Sequence, residues 1–127
     1  MIVPDTSIWI AFLKQNESVK TGFLSLLKDR KIAVIEPIFA ELLYGIRKPK
    51  DKELVLSYWQ ILPKLDFDNG SMLKASQFAN DQNFHYLGIG LMDAAIIQPV
   101  ISHGYQLWTL DKKVLGVLDA SNRFDQI

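Results

Sequence analysis

Short apolar runs in this chain alternate with longer stretches in which apolar residues recur every three or four positions. Ile2–Pro4 is strand-like, with Pro4 at its end because proline cannot donate to a ladder. Ser7–Leu13 reads as a short helix. Glu17–Lys31 reads as a second, with Val19, Phe23, Leu26, Leu27 and Arg30 near one stripe. Ile32–Ile35 is a four-residue apolar run that suits a buried strand. Pro37 suits the first turn of a helix reaching about Arg47. Lys50–Leu62 repeats Leu54, Tyr58 and Ile61 at helical spacing, and Pro63 stops it.

The second half continues the alternation. Leu65–Phe67 reads as a short strand and Gly70–Asn83 as a helix carrying Leu73, Ala75, Phe78 and Ala79. His85–Gly90 reads as a loop. Leu91–His103 is apolar and helical, with Pro99 expected to kink it and Gly104 to end it. Gln106–Thr109 reads as a strand, Lys112–Leu118 as a last short helix, and Asn122–Ile127 as a final edge strand or a tail. Strands alternating with helices predict an α/β fold: three layers, α/β/α, around a mostly parallel central sheet of four or five strands. No repeat, linker or low-complexity stretch divides residues 1–127, so a single domain is expected.

Composition narrows the classes. Without cysteine there is neither a disulfide framework nor a thiolate metal site. The apolar runs are too short and too charged to span a membrane, and the first residues lack the pattern of a signal peptide, so a cytoplasmic protein is expected. Fourteen basic residues balance fourteen acidic ones, which argues against non-specific coating of nucleic acid. A local basic patch remains compatible with that balance. The densest basic run, Arg47-Lys48-Pro49-Lys50-Asp51-Lys52, reads first as a solvated turn between helices.

Four carboxylates stand apart from the rest. Asp5 follows the first strand and Asp111 follows the strand Gln106–Thr109; in a parallel sheet both strand ends lie on one edge, where ligands bind. Glu41 lies on or beside the stripe of Ile38, Leu42 and Gly45 or Ile46. Asp93 heads the stripe Ile96, Ile97, Val100 and Ile101, the most apolar of the chain. Each acid taken singly has a plainer role. Asp5 and Asp111 suit helix caps, Asp93 suits a first helical turn, and Glu41 suits a helix surface. Caps do not, however, require Asp93 and Glu41 to face inward.

Like charges held within about 4–6 Å repel and raise one another's pKa, and a divalent cation removes the conflict. Oxygen-only ligands suit Mg²⁺ or Mn²⁺. His85 and His103 lack the paired spacing of histidine metal sites and read as structural or surface residues. A carboxylate-lined Mg²⁺ cleft points to phosphodiester or phosphoryl chemistry.

Four pieces carry a family resemblance: Asp5-Thr6-Ser7, Glu41-Leu42-Leu43-Tyr44-Gly45-Ile46, Asp93-Ala94-Ala95-Ile96-Ile97 and Leu107-Trp108-Thr109-Leu110-Asp111. In this order, spanning nearly the whole chain, they resemble a PIN-domain protein of the VapC-type toxin ribonuclease kind. The resemblance implies a PIN-like fold and a Mg²⁺-dependent endoribonuclease, the toxin of a type II toxin-antitoxin system. Its acidic site would be Asp5, Glu41, Asp93 and Asp111, with Asp5 and Asp93 as principal metal ligands and Thr6, Ser7 and Thr109 as supporting hydroxyls. Implied partners are a small cognate antitoxin, structured RNA such as transfer RNA, and a second copy in a homodimer, with Trp59 as a candidate exposed contact. Arg47, Lys48, Lys112 and Lys113 are candidates for substrate phosphate. The chain departs from the pattern at Pro4, at Pro99 and at Val114 or Leu115, and none of these removes a carboxylate.

Two other readings stand beside this one. A non-catalytic PIN-like module would bind RNA or protein without cutting. A receiver-like domain would accept phosphate on Asp66 or Asp68 and pair it with Lys112, but it leaves Glu41 and Asp93 without a role.

Overall fold

Strand β1 (Ile2–Pro4) stops where its proline runs out of donors. The computed structural model describes residues 1–125. In it β1 lies parallel to β2 (Gln106–Trp108), with Ile2 opposite Gln106 and Pro4 opposite Trp108. Asp5 resumes the ladder, its N–H donating to the Trp108 carbonyl at 2.9 Å. Successive strand residues face opposite sides of a sheet. All three residues of β1 are buried, so both faces of the sheet are covered.

Seven helices among the described residues surround this strip: α1 (Thr6–Leu13), α2 (Glu17–Lys28), α3 (Glu36–Gly45), α4 (Pro49–Ile61), α5 (Ser71–Asp81), α6 (Leu91–Ser102) and α7 (Lys112–Leu115), followed by a 3₁₀ turn at Ala120–Asn122. The helices expected from periodicity are all present, with ends shifted by at most three residues. Helix α2 stops at Lys28 rather than Lys31 because Arg30 takes a positive φ of 57°. Pro99 is accommodated inside α6 and buried there.

Among the described residues the regular ladder is β1 with β2, which does not bear out four or five strands; three isolated parallel bridges flank it, pairing Ile2 with Ile32, Val34 with Lys64 and Leu107 with Arg123. Ile32–Ile35 is buried as expected, yet α3 begins at Glu36 and leaves no length for a ladder. The strand expected at Leu65–Phe67 reduces to the bridge at Lys64, just after Pro63. The expected edge strand at Asn122–Ile127 contributes one bridge at Arg123, and Gln126 and Ile127 lie outside the described residues.

One aromatic cluster fixes α1 relative to its neighbours. Trp9 is fully buried and meets Phe23 of α2 at 4.8 Å between ring centroids, Phe39 of α3 at 5.1 Å and Tyr58 of α4 at 5.3 Å. Each such contact contributes about 0.5–1.5 kcal/mol beyond area burial. Asp5 at the start of α1 and Glu41 on α3 thus belong to elements locked by the same indole. Trp59 does not form an exposed contact: it is half-buried against Phe39 at 5.3 Å, with the Lys64 ammonium 4.9 Å from its ring. Tyr44 and Tyr86 are the outward aromatics, at 95% and 86% exposure.

Candidate active site

Because β1 and β2 are parallel, the acids that follow them leave the same sheet edge. Asp5 is the N-cap of α1, and its Oδ1 accepts from the Ile8 N–H at 3.2 Å and from the Ser7 hydroxyl at 2.5 Å. Asp111 is the N-cap of α7, with Oδ1 accepting from the N–H groups of Lys113 at 2.8 Å and Val114 at 3.4 Å. The cap reading of both acids is therefore correct, and it does not compete with a site reading. Capping fixes each carboxylate at the sheet edge.

Two hydroxyls stitch these strand ends together. Ser7 Oγ donates to Asp5 and accepts from the Leu110 N–H at 3.2 Å. Thr109, only 5% exposed, donates to Asp5 and accepts from the Asp111 N–H at 3.0 Å. A third hydroxyl, Thr6 Oγ1, donates to Glu41 Oε1 at 2.8 Å and ties α3 to the first turn of α1. Glu41 is exposed beside buried Leu42, at the edge of the apolar stripe.

Asp93 sits in the first turn of α6 ahead of buried Ala94–Ile97, and the N–H of Gly90, the N-cap residue, donates back to its carboxylate. Burial raises its pKa above the ordinary 3.8, and the negative charges of Asp111, Glu41 and Asp5 raise it further, against the Gly90 bond. Asp5 is raised as well, by burial, against the bonds from Ser7, Thr109 and Ile8. The four predicted acids thus share one electrostatic neighbourhood centred on Asp93.

Other predicted residues lie around or outside it. Lys112 and Lys113 are exposed on α7, and the Lys113 side chain lies across Gly88, where a Cβ would stand 3.3 Å from its Nζ. Arg47 and Lys48 are exposed between α3 and α4. Asp68 is occupied with Ser71 at the start of α5, and neither Asp66 nor Asp68 contributes to the field at Asp93. His85 and His103 are exposed, and His103 Nδ1 lies 2.7 Å from the Pro99 carbonyl. Sequence reasoning missed the backbone partners, the N–H groups of Gly90 and Leu110, because main-chain donors leave no mark on residue identity.

The donor set is all carboxylate oxygen, which suits Mg²⁺ or Mn²⁺. Among the described residues no group of three or more acids or histidines stands placed to hold a metal ion together. Mg²⁺ ordinarily takes one or two carboxylates and keeps several waters, so this open set fits it.

The architecture is a parallel α/β domain whose strand-end acids Asp5 and Asp111 leave the same sheet edge. The chain belongs to the PIN domain family, whose profile matches residues 2–118. PIN domains are generally nucleases. Its fold is similar to that in the crystal structure of FitAcB from Neisseria gonorrhoeae, with a TM-score of 0.60 at 18% identity over 91% of each chain. No curated protein sequence matches the chain. No helix among the described residues is long and apolar enough to cross a membrane.

Proposed function

We propose that this PIN domain is a Mg²⁺-dependent endoribonuclease of the VapC type, acting as the cytoplasmic toxin of a type II toxin-antitoxin system. The observation that carries the reading is that Asp5 and Asp111 cap helices at the same edge of the β1–β2 ladder, while the Thr6 hydroxyl ties Glu41 of α3 to the helix that Asp5 opens. Three like charges around one half-buried carboxylate are costly alone and favourable around a divalent cation.

Asp5 and Asp93 are the principal ligands, and Mn²⁺ can replace Mg²⁺. Glu41 and Asp111 act directly, through water, or at a second ion. Thr6, Ser7 and Thr109 hold their carboxylates in orientation. Lys112 and Lys113, beside Asp111, and Arg47 and Lys48, after α3, meet substrate phosphates. A bound Mg²⁺ supplies charge stabilisation at the attacked phosphate and a more acidic water. The substrate is RNA, with transfer RNA the first to test. A small antitoxin blocks the site, and the toxin is a homodimer.

The test is RNA cleavage by purified protein with Mg²⁺ added or chelated, in wild type and in Asp5→Asn. Asparagine also caps helices, so the variant keeps its fold. Mg²⁺-dependent cutting by wild type and none by Asp5→Asn is expected. Undiminished cutting by folded Asp5→Asn overturns the assignment. The second reading is a non-catalytic RNA- or protein-binding module. RNA binding without cleavage in Mg²⁺ or Mn²⁺ selects it.

A further inference from the structure

The turn between α5 and α6 is held by its own main chain. The N–H groups of Leu87 and Ile89 both donate to the Phe84 carbonyl at 3.0 Å, and that of Gly88 donates to the His85 carbonyl at 3.3 Å. Phe84 and Ile89 are buried, so the exposed tip between them is anchored at both ends. Gly88 takes a φ of 76°, a left-handed conformation that glycine adopts most readily. On its open side rests the Lys113 side chain: a Cβ on Gly88 would stand 3.3 Å from Nζ, 3.6 Å from Cδ and 3.7 Å from Cε. The lysine is rooted at its other end as well, since its own N–H donates to Asp111 Oδ1 at 2.8 Å. One residue thus spans from the Asp111 cap to the segment that runs, through Gly90, into the first turn of α6 and Asp93. Its ammonium makes no ion pair among the described residues, where the one salt bridge is Arg123 to Asp125 at 3.7 Å.

We propose that Gly88 is a positioning residue: by carrying no side chain it seats Lys113, whose ammonium then meets a phosphate of the RNA strand beside Asp93 and Asp111. The inference rests on the nuclease reading and deepens it, by choosing one cation among the four candidates and naming what holds it. Carboxylates repel a phosphodiester at short range, and a cation standing at their edge offsets that repulsion. A free lysine gives up rotamer freedom when it takes a phosphate, whereas a stem already laid on Gly88 gives up less. The ammonium acts as a point charge on the backbone, so the contact carries no sequence preference. A side chain larger than a single Cβ at position 88 fills the seat and turns the ammonium away. Asparagine tolerates a positive φ, so Gly88→Asn fills the seat with little backbone strain.

The test is binding of fluorescein-labelled decauridylate across a salt series, in Mg²⁺ and in the Asp5→Asn background so that the strand stays uncut. Lys113→Met keeps the stem and removes the charge; it should weaken binding about fivefold and lower the slope of log K against log salt by about 0.7. Gly88→Asn should weaken binding about threefold and lower the slope in the same direction. Adding Gly88→Asn to Lys113→Met should cost nothing further, because the seat then holds no charge. Gly70→Asn, at a φ of 92° where a Cβ would meet nothing within 4 Å, should leave affinity and slope unchanged. Equal losses from Gly88→Asn with Lys113 present and with it replaced overturn the positioning role, since they come from the turn itself. Parent affinity and slope in Lys113→Met overturn it too, as does a parent that does not bind decauridylate. Cleavage by the wild-type chain in Mg²⁺ is scored separately. Coupling between positions 88 and 113 in a protein that binds but never cuts RNA supports the seat and removes the nuclease reading.

Discussion

The four acids fall into two pairs with different surroundings. Asp5 and Asp93 are half-buried, are hydrogen-bonded by main-chain N–H groups, and have pKa values raised chiefly by burial. Glu41 and Asp111 are exposed; one is held by a threonine hydroxyl and the other by its own helix cap. The buried pair carries the cost of desolvated charge, which a cation offsets. The exposed pair adds to the field at Asp93 from outside, with little desolvation of its own. In the proposed metal site the inner acids fix where an ion sits, and the outer acids adjust around it.

The largest effect expected from this division is on cleavage. Asp93→Asn or Asp5→Asn should lower the rate about a thousandfold, equivalent to ~4 kcal/mol of barrier, while circular dichroism stays that of the wild type. Glu41→Gln and Asp111→Asn should cost less, about ten- to a hundredfold in the same assay. Equal losses for all four would erase the distinction between inner and outer acids. Thr6→Val should be milder still, about threefold, because it frees Glu41 without removing it. A loss from Thr6→Val as large as that from Glu41→Gln would mean that Glu41 works only in its tied position.

The smallest effect is on stability, and its sign is fixed. Folding raises the pKa of Asp93 above 3.8, so the protonated form is favoured in the folded state. That contribution is fully present below the unfolded value and is lost as pH rises through the folded one. In chelator, wild type should therefore lose stability relative to Asp93→Asn as pH climbs from about 3.8 toward neutrality. Denaturant midpoints at several pH values measure the difference. A constant difference would remove burial of charge at Asp93.

Much of this was legible in the sequence, and for a physical reason. Helices announce themselves by period, and acids at strand ends by position, so α1 to α7 and the places of Asp5 and Asp111 could be found without coordinates. Sheet size could not, because an apolar run such as Ile32–Ile35 reads alike as a ladder strand or as a buried segment touching its neighbours at single bridges. The choice between cap and ligand was posed too sharply, since Asp5 and Asp111 cap helices at the edge where a site forms. The sequence also separated Gly88 from Lys113, which only the folded chain brings into contact. The partners of the three hydroxyls were hidden likewise, since Thr6 and Glu41 are 35 residues apart and Ser7 and Leu110 are 103 apart.

Calorimetric titration of Mn²⁺ into wild type and the four single variants Asp5→Asn, Asp93→Asn, Glu41→Gln and Asp111→Asn tests the division most directly. Saturable binding by wild type is expected, at least about tenfold weaker in the two inner variants and more modestly weakened in the two outer ones, tenfold being 1.4 kcal/mol. Binding by Asp93→Asn and Asp5→Asn as tight as that of wild type would contradict it.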